Sequence, residues 1–321
     1  MDYNSSGSYF LISMSAKSFA AVNVPLSATG ILLNVFFVFC MIFPPQGAEL
    51  LKPLLKVLLG SLVGCNTAIH VCGCLIVYYV FVIHDVILDW LALVISGLIV
   101  NVMMYTMMTS VTCCQWMNMF YFCQIVPPQH PFFIWFKKNI RALIYSGLIF
   151  NVVLYVFGMT ADVAYAIVQV KFYNADNVSS AMRNELVNSV ALNHDIKLVN
   201  FLSRVLLFLL SVCVMLVSSF ATVLYLWRHM KNLEESGVSS PRLQRQIKVI
   251  ITSILIQATL NFLCSVAVLI DEILSEYTGV DSDGLILFTI ISLYSFGTTI
   301  NMGITQSLFR QGAVNVLQKL Q

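Results

Sequence analysis

Residues 90–130 read WLALVISGLIVNVMMYTMMTSVTCCQWMNMFYFCQIVPPQH, and this stretch decides the fold. No residue in 90–136 carries a formal charge, although about 20 apolar residues already suffice to cross a bilayer. Pro127 and Pro128 cannot continue a helix, because proline lacks the amide donor and disfavours helical conformation in the residue before it. The stretch therefore predicts one long transmembrane helix that ends near Gln124.

The whole chain repeats this pattern of long stretches without formal charge. Of its 321 residues, 59% are hydrophobic and 10% are charged, whereas a soluble domain has about 25% charged residues. Seven stretches without Asp, Glu, Lys or Arg are long enough to span a bilayer: 18–48, 57–84, 90–136, 142–160, 205–227, 249–270 and 284–309. Because backbone groups in lipid must pair within their own segment, and because these stretches lack the alternation of barrel strands, they predict helices.

We therefore predict an all-α membrane protein with a single seven-transmembrane domain over residues 1–321. The expected helices are about 19–43, 54–82, 90–124, 140–159, 201–227, 247–270 and 285–308. Two long connections are expected. One is an interfacial loop at 126–138, and the other is a polar segment at 160–199 in which 181–192 is compatible with a short surface helix. The tail from residue 309 is expected to hold a turn of interfacial helix.

The placement of Lys and Arg predicts the orientation, because cytoplasmic loops carry an excess of both. One set of loops holds twelve cations and three acids, a net charge of +9, and the other holds five cations and twelve acids, a net charge of −7. The first set is predicted to be cytoplasmic, which puts the N-terminus outside and the C-terminus inside. Both glycosylation sequons, at Asn4 and Asn177, fall on the predicted outside.

Motifs for enzymatic, metal-binding and nucleic-acid-binding functions are absent from the sequence. Neither Gly-x-Ser-x-Gly nor His-Glu-x-x-His occurs, and no enzymatic activity and no cofactor are expected. Cys72 and Cys74 are two residues apart and do not share a helix face, so no metal site is expected. The sequence has no basic cluster that could follow a phosphate backbone, so no nucleic-acid partner is expected. A small-molecule transporter is the alternative of a different class, which the lack of internal repeats and of charges within the predicted spans disfavours.

Isolated polar residues within the predicted spans are expected to serve packing. An amide in mid-membrane is stabilised only when it is paired, so Asn34 is predicted to hydrogen-bond a neighbouring helix. His70 is expected to be a satisfied interior histidine. The nine cysteines are expected to be small packing residues, and none lies in a predicted outside loop.

Four short motifs resemble those of the bitter taste receptor family (taste receptor type 2), a family of G-protein-coupled receptors. FYFCQI at 120–125 is similar to the family's FYFLKI at the end of helix 3, and LWRHMK at 226–231 to its SLWRHTK-like end of helix 5. QIKVI at 246–250 resembles the ALKxxI start of helix 6, and Gly30 with Asn34 matches the helix 1 pattern. The motifs keep their order and spacing, so the resemblance covers nearly the whole chain.

The chain also departs from the family's pattern. Gln124 replaces the Lys of FYFLK, and the Trp and Asn in the ligand half of helix 3 fall on Met103 and Met107. The helix 2 Arg and the helix 7 His-Ser pair are missing. These departures indicate a divergent member, such as one from a non-mammalian vertebrate. Type 1 vomeronasal receptors, which are related, are the alternative among chemosensory receptors.

The resemblance implies a multi-pass receptor of sensory transduction in the plasma membrane. Its implied partners are small, mostly apolar (bitter-type) agonists from outside, and a heterotrimeric G protein with a gustducin-like or Gi-type α-subunit. The expected ligand contacts lie in the outer halves of four helices: Asn101, Met103, Met104, Met107, Phe208, Gln257, Asn261 and Thr289. The expected G-protein contacts lie at the cytoplasmic ends: Tyr121, Gln124, Arg228, Lys248 and Arg310.

Methionines dominate the expected ligand face of helix 3. Their side chains are flexible and polarisable, which suits a site that accepts varied apolar ligands. The same residues are equally compatible with plain packing between helices, and the sequence leaves both interpretations open.

Overall fold

The computed structural model describes residues 13–45, 51–83, 89–127, 130–173, 180–235, 241–277 and 284–320. All regular structure in these ranges is helical: α1 (Ala16–Ile42), α2 (Pro53–Tyr78) with a π-helical turn after it (Tyr79–Ile83), α3 (Asp89–Ile125), α4 (Pro131–Tyr173), α5 (Ser180–Glu235), α6 (Pro241–Tyr277), α7 (Leu285–Thr305) and α8 (Ser307–Leu320). Seven of them, α1 to α7, are long and apolar enough to span a membrane. The predicted all-helical architecture with seven spans is confirmed in these ranges.

Proline and short polar residues set several helix ends. The helices α2, α4 and α6 each begin at a proline, which fits the first helical position because an amide there would have no intrahelical partner. Ser15 caps α1, since its side chain accepts a hydrogen bond from the Ser18 amide at 3.1 Å. Gln306 has an extended backbone, with φ −79° and ψ 120°, and separates α7 from α8.

Two helices are much longer than the sequence predicted. The helix α4 begins at Pro131 rather than near 140 and ends at Tyr173 rather than 159, so the predicted loop at 126–138 is helical from 131 onward. The helix α5 begins at Ser180 rather than 201, so most of the predicted polar segment is helical too. The prediction ended both helices within a few residues of the first charged residues. Charge marks the edge of the lipid, whereas a helix continues into water wherever its residues favour it.

The last helices also differ from the prediction at their ends. The helix α6 covers Pro241–Tyr277 and extends beyond the predicted 247–270 on both sides. The helix α7 ends at Thr305 rather than 308, and the tail forms the 14-residue helix α8 in place of a single turn. The predicted ends of helices 1 and 3 lie within three residues of the observed ones.

The spanning helices are buried to different extents. In the most apolar window of α7, 61% of the residues are buried, whereas in that of α4 only 17% are. Large apolar side chains point away from the bundle on α4 and α5, among them Ile149, Phe150, Val217 and Phe220. So much exposed apolar surface is stable in contact with lipid and not in contact with water. The helix α7 therefore lies inside the bundle, and α4 lies at its lipid-facing edge.

The interior holds two apolar clusters, one toward each end of the bundle. We call one end the basic end, because it gathers cationic residues including Lys52, Lys56, Lys137, Lys138, Arg141, Arg228, Lys231, Lys248 and Arg310. The cluster toward the basic end includes Cys113 and Phe309. The cluster toward the opposite end includes Met107 and Ile291.

Candidate functional site

Four of the eight predicted ligand residues meet in the apolar cluster toward the opposite end. Met103 and Met107 are fully buried on α3, Met104 is 6% exposed, and Phe208 of α5 is 2% exposed. We call these four residues the methionine cluster. Side chains of α6 and α7 belong to the same apolar interior, among them Val268, Phe288 and Ile291. The methionine face of α3 is therefore a packed interior surface in this structure.

Two other predicted ligand residues stand apart from the methionine cluster. Asn101 is half-buried on α3, two residues before Met103. Thr289 of α7 faces α1, because its hydroxyl accepts a hydrogen bond from Asn23 Nδ2 at 2.9 Å. The same hydroxyl donates to the Leu285 carbonyl of its own helix at 2.8 Å. The position of Thr289 along the chain did not reveal which helix its side chain meets.

The last two predicted ligand residues, Gln257 and Asn261 of α6, are hydrogen-bonded to each other and to neighbouring helices. Gln257 Nε2 lies 3.1 Å from Asn261 Oδ1 and 3.2 Å from Thr298 Oγ1. It also lies 3.3 Å from Cys114 Sγ on α3. Asn301 Nδ2 of α7 donates to Gln257 Oε1 at 3.0 Å. Because buried amides are stable only when paired, these bonds hold α3, α6 and α7 together.

A cavity of about 450 Å³ lies at the basic end, between α2, α3, α6, α7 and the start of α8. We call it the basic-end cavity. Tyr121 and Gln124, two of the predicted coupling residues, line it. Gln306 Nε2 donates to the Tyr121 hydroxyl at 2.8 Å, and Gln306 lines the cavity as well. This bond ties the end of α3 to the junction of α7 and α8.

The other three predicted coupling residues surround the basic end without lining the cavity. Arg228, Lys248 and Arg310 are exposed, and they lie near the end of α5, near the start of α6 and in the first turn of α8. These exposed cations are accessible to a macromolecular partner, but their side chains are not held in one conformation.

Sequence reasoning missed the residues that α6 and α7 contribute to the cavity wall. Ser253 Oγ lies 2.9 Å from Asn301 Oδ1, to which it donates, and 2.5 Å from Thr305 Oγ1. All three residues line the basic-end cavity. A signal was present in the sequence, since Asn301 and Thr305 are four residues apart and therefore share one face of a helix.

Two charged residues that the sequence assigned to the outside loops lie inside helices that are able to span a membrane. Asp162 falls within the span Pro131–Ala164, and Arg204 falls within Leu198–Glu235. The Tyr105 hydroxyl donates to Asp162 Oδ2 at 3.3 Å and accepts from Asn200 Nδ2 at 3.0 Å. Arg204 lines a crevice beside Tyr105 with about 10 Å³ of free space, about the room of one water molecule. The charge-free stretches ended beside these residues, so the prediction counted both with the outside loops, although its helix at 201–227 already contained Arg204.

The predicted interhelical bond of Asn34 is confirmed, and His70 is an interior histidine as predicted but is bonded at only one of its two ring nitrogens, since Nδ1 has no partner among the described residues. Thr299 Oγ1 of α7 donates to Asn34 Oδ1 at 3.4 Å, which is the expected interhelical bond. His70 is fully buried, and its Nε2 lies 3.3 Å from Ser295 Oγ. A Cβ added to Gly30 would overlap the His70 ring, so this glycine lets α1 and α2 approach each other closely.

Comparison with known protein families gives a match over nearly the whole chain. The family described as Taste receptor protein (TAS2R) matches residues 11–321. The match covers α1 to α8, and with them the methionine cluster and the basic-end cavity. A search among curated proteins gave no match.

Proposed function

The chain belongs to the taste receptor protein (TAS2R) family, and on that premise we propose that it is a chemosensory receptor that binds small, mostly apolar molecules and activates a heterotrimeric G protein. The family is one of receptors and not of enzymes. Seven helices able to span a membrane make the chain a multi-pass membrane protein, which we place in the plasma membrane.

We propose an orientation with the N-terminus outside and the basic end in the cytoplasm. The excess of Lys and Arg at the basic end supports it, because cytoplasmic loops are enriched in both residues. The two sequons, at Asn4 and Asn177, lie outside the described residues and would be accessible to glycosylation on the outer side. In this orientation the methionine cluster lies in the outer half and the basic-end cavity opens toward the cytoplasm.

The basic-end cavity is the proposed docking place for the C-terminal helix of a G-protein α-subunit, of gustducin-like or Gi type. The volume of about 450 Å³ supports this role but is small for a helix, so the ends of α3, α6 and α7 must separate further. The bond from Gln306 to Tyr121 opposes that separation. Gln124, Arg228, Lys248 and Arg310 then contact the α-subunit around the opening.

The methionine cluster is the proposed contact surface for the agonist. Because methionine side chains have three rotatable bonds, they rearrange around apolar ligands of different shapes at little conformational strain. Asn101 lies at the outer edge of this surface and supplies a polar contact. Thr289 is a further proposed contact, which requires that it exchange its bond with Asn23.

A network of amides provides the proposed connection between the two halves. Gln257 lines the basic-end cavity and is bonded to Asn261, which lies one turn nearer the methionine cluster. Asn261 Nδ2 lies 2.7 Å from the sulfur of Met215 on α5. An agonist that favours a different packing of the methionines shifts the population toward a different arrangement of these bonds.

The observation that carries this proposal is the family match over residues 11–321, which includes both halves. The test is a screen of apolar small molecules on cells that express the chain, with a calcium readout through a co-expressed G-protein α-subunit. We expect agonist responses that require both the chain and the α-subunit. Responses that persist in cells without the α-subunit would contradict the proposed coupling.

A further inference from the structure

A line of fully buried polar side chains follows the contact of α1 and α2 with α7. Its members recur at helical spacing on their own helices: Asn23, Ser27 and Asn34 on α1, Asn66 and His70 on α2, and Ser292, Ser295 and Thr299 on α7. A polar group buried away from water is destabilising unless it is hydrogen-bonded. We call this line the polar seam.

In the part of the polar seam nearer the basic end, every side chain has at least one hydrogen-bond partner, although Asn34 Nδ2 and His70 Nδ1 have none among the described residues. Asn66 Nδ2 donates to Thr299 Oγ1 at 3.1 Å. Ser295 Oγ lies 3.3 Å from His70 Nε2 and also 3.3 Å from the Asn66 carbonyl, to which it donates. These contacts join α2 directly to α7.

Ser27 and Ser292 differ from the rest, because neither hydroxyl has a hydrogen-bond partner among the described residues. Both hydroxyls lie beside the same position on α2, where Gly73 contributes no side chain. A Cβ added to Gly73 would lie 3.2 Å from Ser27 Oγ and 3.7 Å from Ser292 Oγ. Three helices therefore meet around a small space, which we call the Gly73 niche, with two unpaired hydroxyls beside it.

The Gly73 niche is bordered by the two hydroxyls, because no other atom of the described residues, apart from the neighbouring residues and backbone of α2 itself, lies within 4 Å of the position of an added Cβ. A separation of 3.2 Å is tight for a carbon beside the Ser27 oxygen, whereas O–H···O hydrogen bonds are about 2.5–3.0 Å long. A water oxygen is not bonded to Gly73 Cα, so it lies farther from that atom than an added Cβ would, in the space that borders both hydroxyls. Each serine hydroxyl offers one donor and two acceptor sites.

We propose that the Gly73 niche is a binding site for one buried water molecule, which bridges Ser27 of α1 and Ser292 of α7 across α2. Buried waters characteristically bind polar groups that have no other partner. The bridge joins α1 and α7 between two direct side-chain bonds of these helices, that of Asn23 with Thr289 and that of Thr299 with Asn34.

The proposed water makes the contact of α1 with α7 adjustable at this depth. A water-mediated bond is nearly as favourable as a direct one, and the water reorients when either helix shifts slightly. The same helix α7 carries Asn301 to the wall of the basic-end cavity. The Gly73 niche is therefore a place where α7 shifts against α1 without loss of hydrogen bonds.

The sign of the change in melting temperature tests the proposal, measured on the full-length chain in lipid nanodiscs. Ser27→Ala and Ser292→Ala each remove one anchor of the water, so each is expected to lower the melting temperature by roughly 2–4 °C. The double variant is expected to lose less than the sum of the two, because either substitution alone already breaks the bridge.

Two matched controls separate the niche from general effects of the substitutions. Ser218→Ala removes a buried hydroxyl that is already bonded to the Met215 carbonyl at 3.1 Å, and its effect should add to that of Ser27→Ala. Gly73→Ala places a carbon in the niche and should lower the melting temperature. Gly60→Ala on the same helix should not lower it, because a Cβ there has nothing within 4 Å and alanine favours the helix.

If no water occupies the niche, the changes in melting temperature have the opposite sign. Each serine-to-alanine change would then remove an unpaired buried hydroxyl and raise the melting temperature. A rise for Ser27→Ala or for Ser292→Ala overturns the proposal. Losses that are strictly additive in the double variant overturn it as well, because they exclude a shared bridge.

Discussion

The two ends of the bundle differ in how their interior space is filled. Toward the end opposite the basic end, Met103 and Met107 are fully buried among apolar side chains, whereas the basic end keeps a cavity of about 450 Å³ with polar residues in its walls. Apolar contacts change by small increments as side chains rotate, but a hydrogen bond such as that from Gln306 to Tyr121 is either made or broken. We interpret the first region as one that adapts and the second as one that switches.

A network of hydrogen-bonded amide side chains lies between these two regions. Gln257 contributes to the cavity wall, yet its bonds to Asn261 and Asn301 extend through the middle of the bundle. Under the proposed function, a rearrangement of the methionine cluster reaches the cavity through these bonds. The predictions below test the difference between the regions, beginning with the largest effect.

The first prediction concerns which region faces the cytoplasm and has an all-or-none outcome. The charge difference between the two sets of loops, +9 against −7, puts the basic end inside. An epitope tag beside Asn177 should be labelled on intact cells, and a tag beside Ser236 only after permeabilisation. Labelling of the tag at Ser236 on intact cells would reverse the assignment of the two regions.

The second prediction separates a structural role of Gln257 from a role in ligand contact. Gln257→Ala leaves Asn261 Oδ1 without its donor, whereas Asn301 keeps its bonds to Ser253. An unpaired buried polar group costs about 1–3 kcal/mol, so we expect a loss of stability of about that size. Thermal unfolding of the purified chain measures it. Gln246→Ala, an exposed position on the same helix, is the control. Equal stability of the two variants would leave Gln257 as a ligand residue only.

The third prediction tests whether the methionine cluster contacts the agonist. Met107→Ala removes apolar contact surface from the proposed site, so agonist potency should fall at least several-fold. Met119→Ala, which lies toward the basic end of the same helix, should leave potency unchanged. Concentration–response curves at matched surface expression provide the measurement. If chemically distinct agonists keep their potency on Met107→Ala, the methionine cluster serves only to pack the helices.

The fourth prediction tests the switching role of the basic end. Gln306→Ala removes the bond to Tyr121, and a net hydrogen bond is worth about 0.5–1.5 kcal/mol, so signalling without agonist should rise about 2- to 10-fold. The exposed Gln311 of α8 provides the matched control, Gln311→Ala. Basal G-protein activity at equal surface level is the readout. A basal level equal to that of the control would show that the bond does not oppose opening.

The fifth prediction concerns a charge at the edge of the cavity and has the smallest expected effect. Lys248 is exposed, and exposed ion pairs contribute about 0.2–1 kcal/mol, so Lys248→Ala should lower the maximal response less than about fivefold. Surface expression should change little. Lys138→Ala on the lipid-facing helix α4 is the comparison. An unchanged maximal response would place the coupling contacts in the cavity wall alone.

The sequence predicted the parts of this protein that depend on the solvent around each segment. Seven charge-free stretches gave seven helices able to span a membrane, because lipid excludes both charge and unpaired backbone groups. The motifs at the helix ends gave the family, which the match over residues 11–321 confirms. The methionines were placed on α3, and the need for a partner for Asn34 was recognised.

The sequence did not predict where helices end in water. Beyond the lipid, no solvent rule forces the helix to stop, so α4 and α5 continue past the first charges at Arg141, Asp162 and Arg204. Because α4 continues to this point, Asp162 lies within hydrogen-bonding distance of Tyr105 on α3. The charge-free stretches do not predict such a contact between two helices.

The sequence also determined which residues share a helix face, while the tertiary structure decided which neighbour each face meets. Periodicity along one helix does not show how the neighbouring helix is rotated about its axis. Thr289 was therefore predicted to contact a ligand, whereas in the structure it bonds to α1. Gln257 and Asn261 were expected at a ligand for the same reason, and they are bonded within the bundle. Only the packing of α2, α3, α6 and α7 against one another decided that a cavity lies at the basic end and that the methionines of α3 are buried.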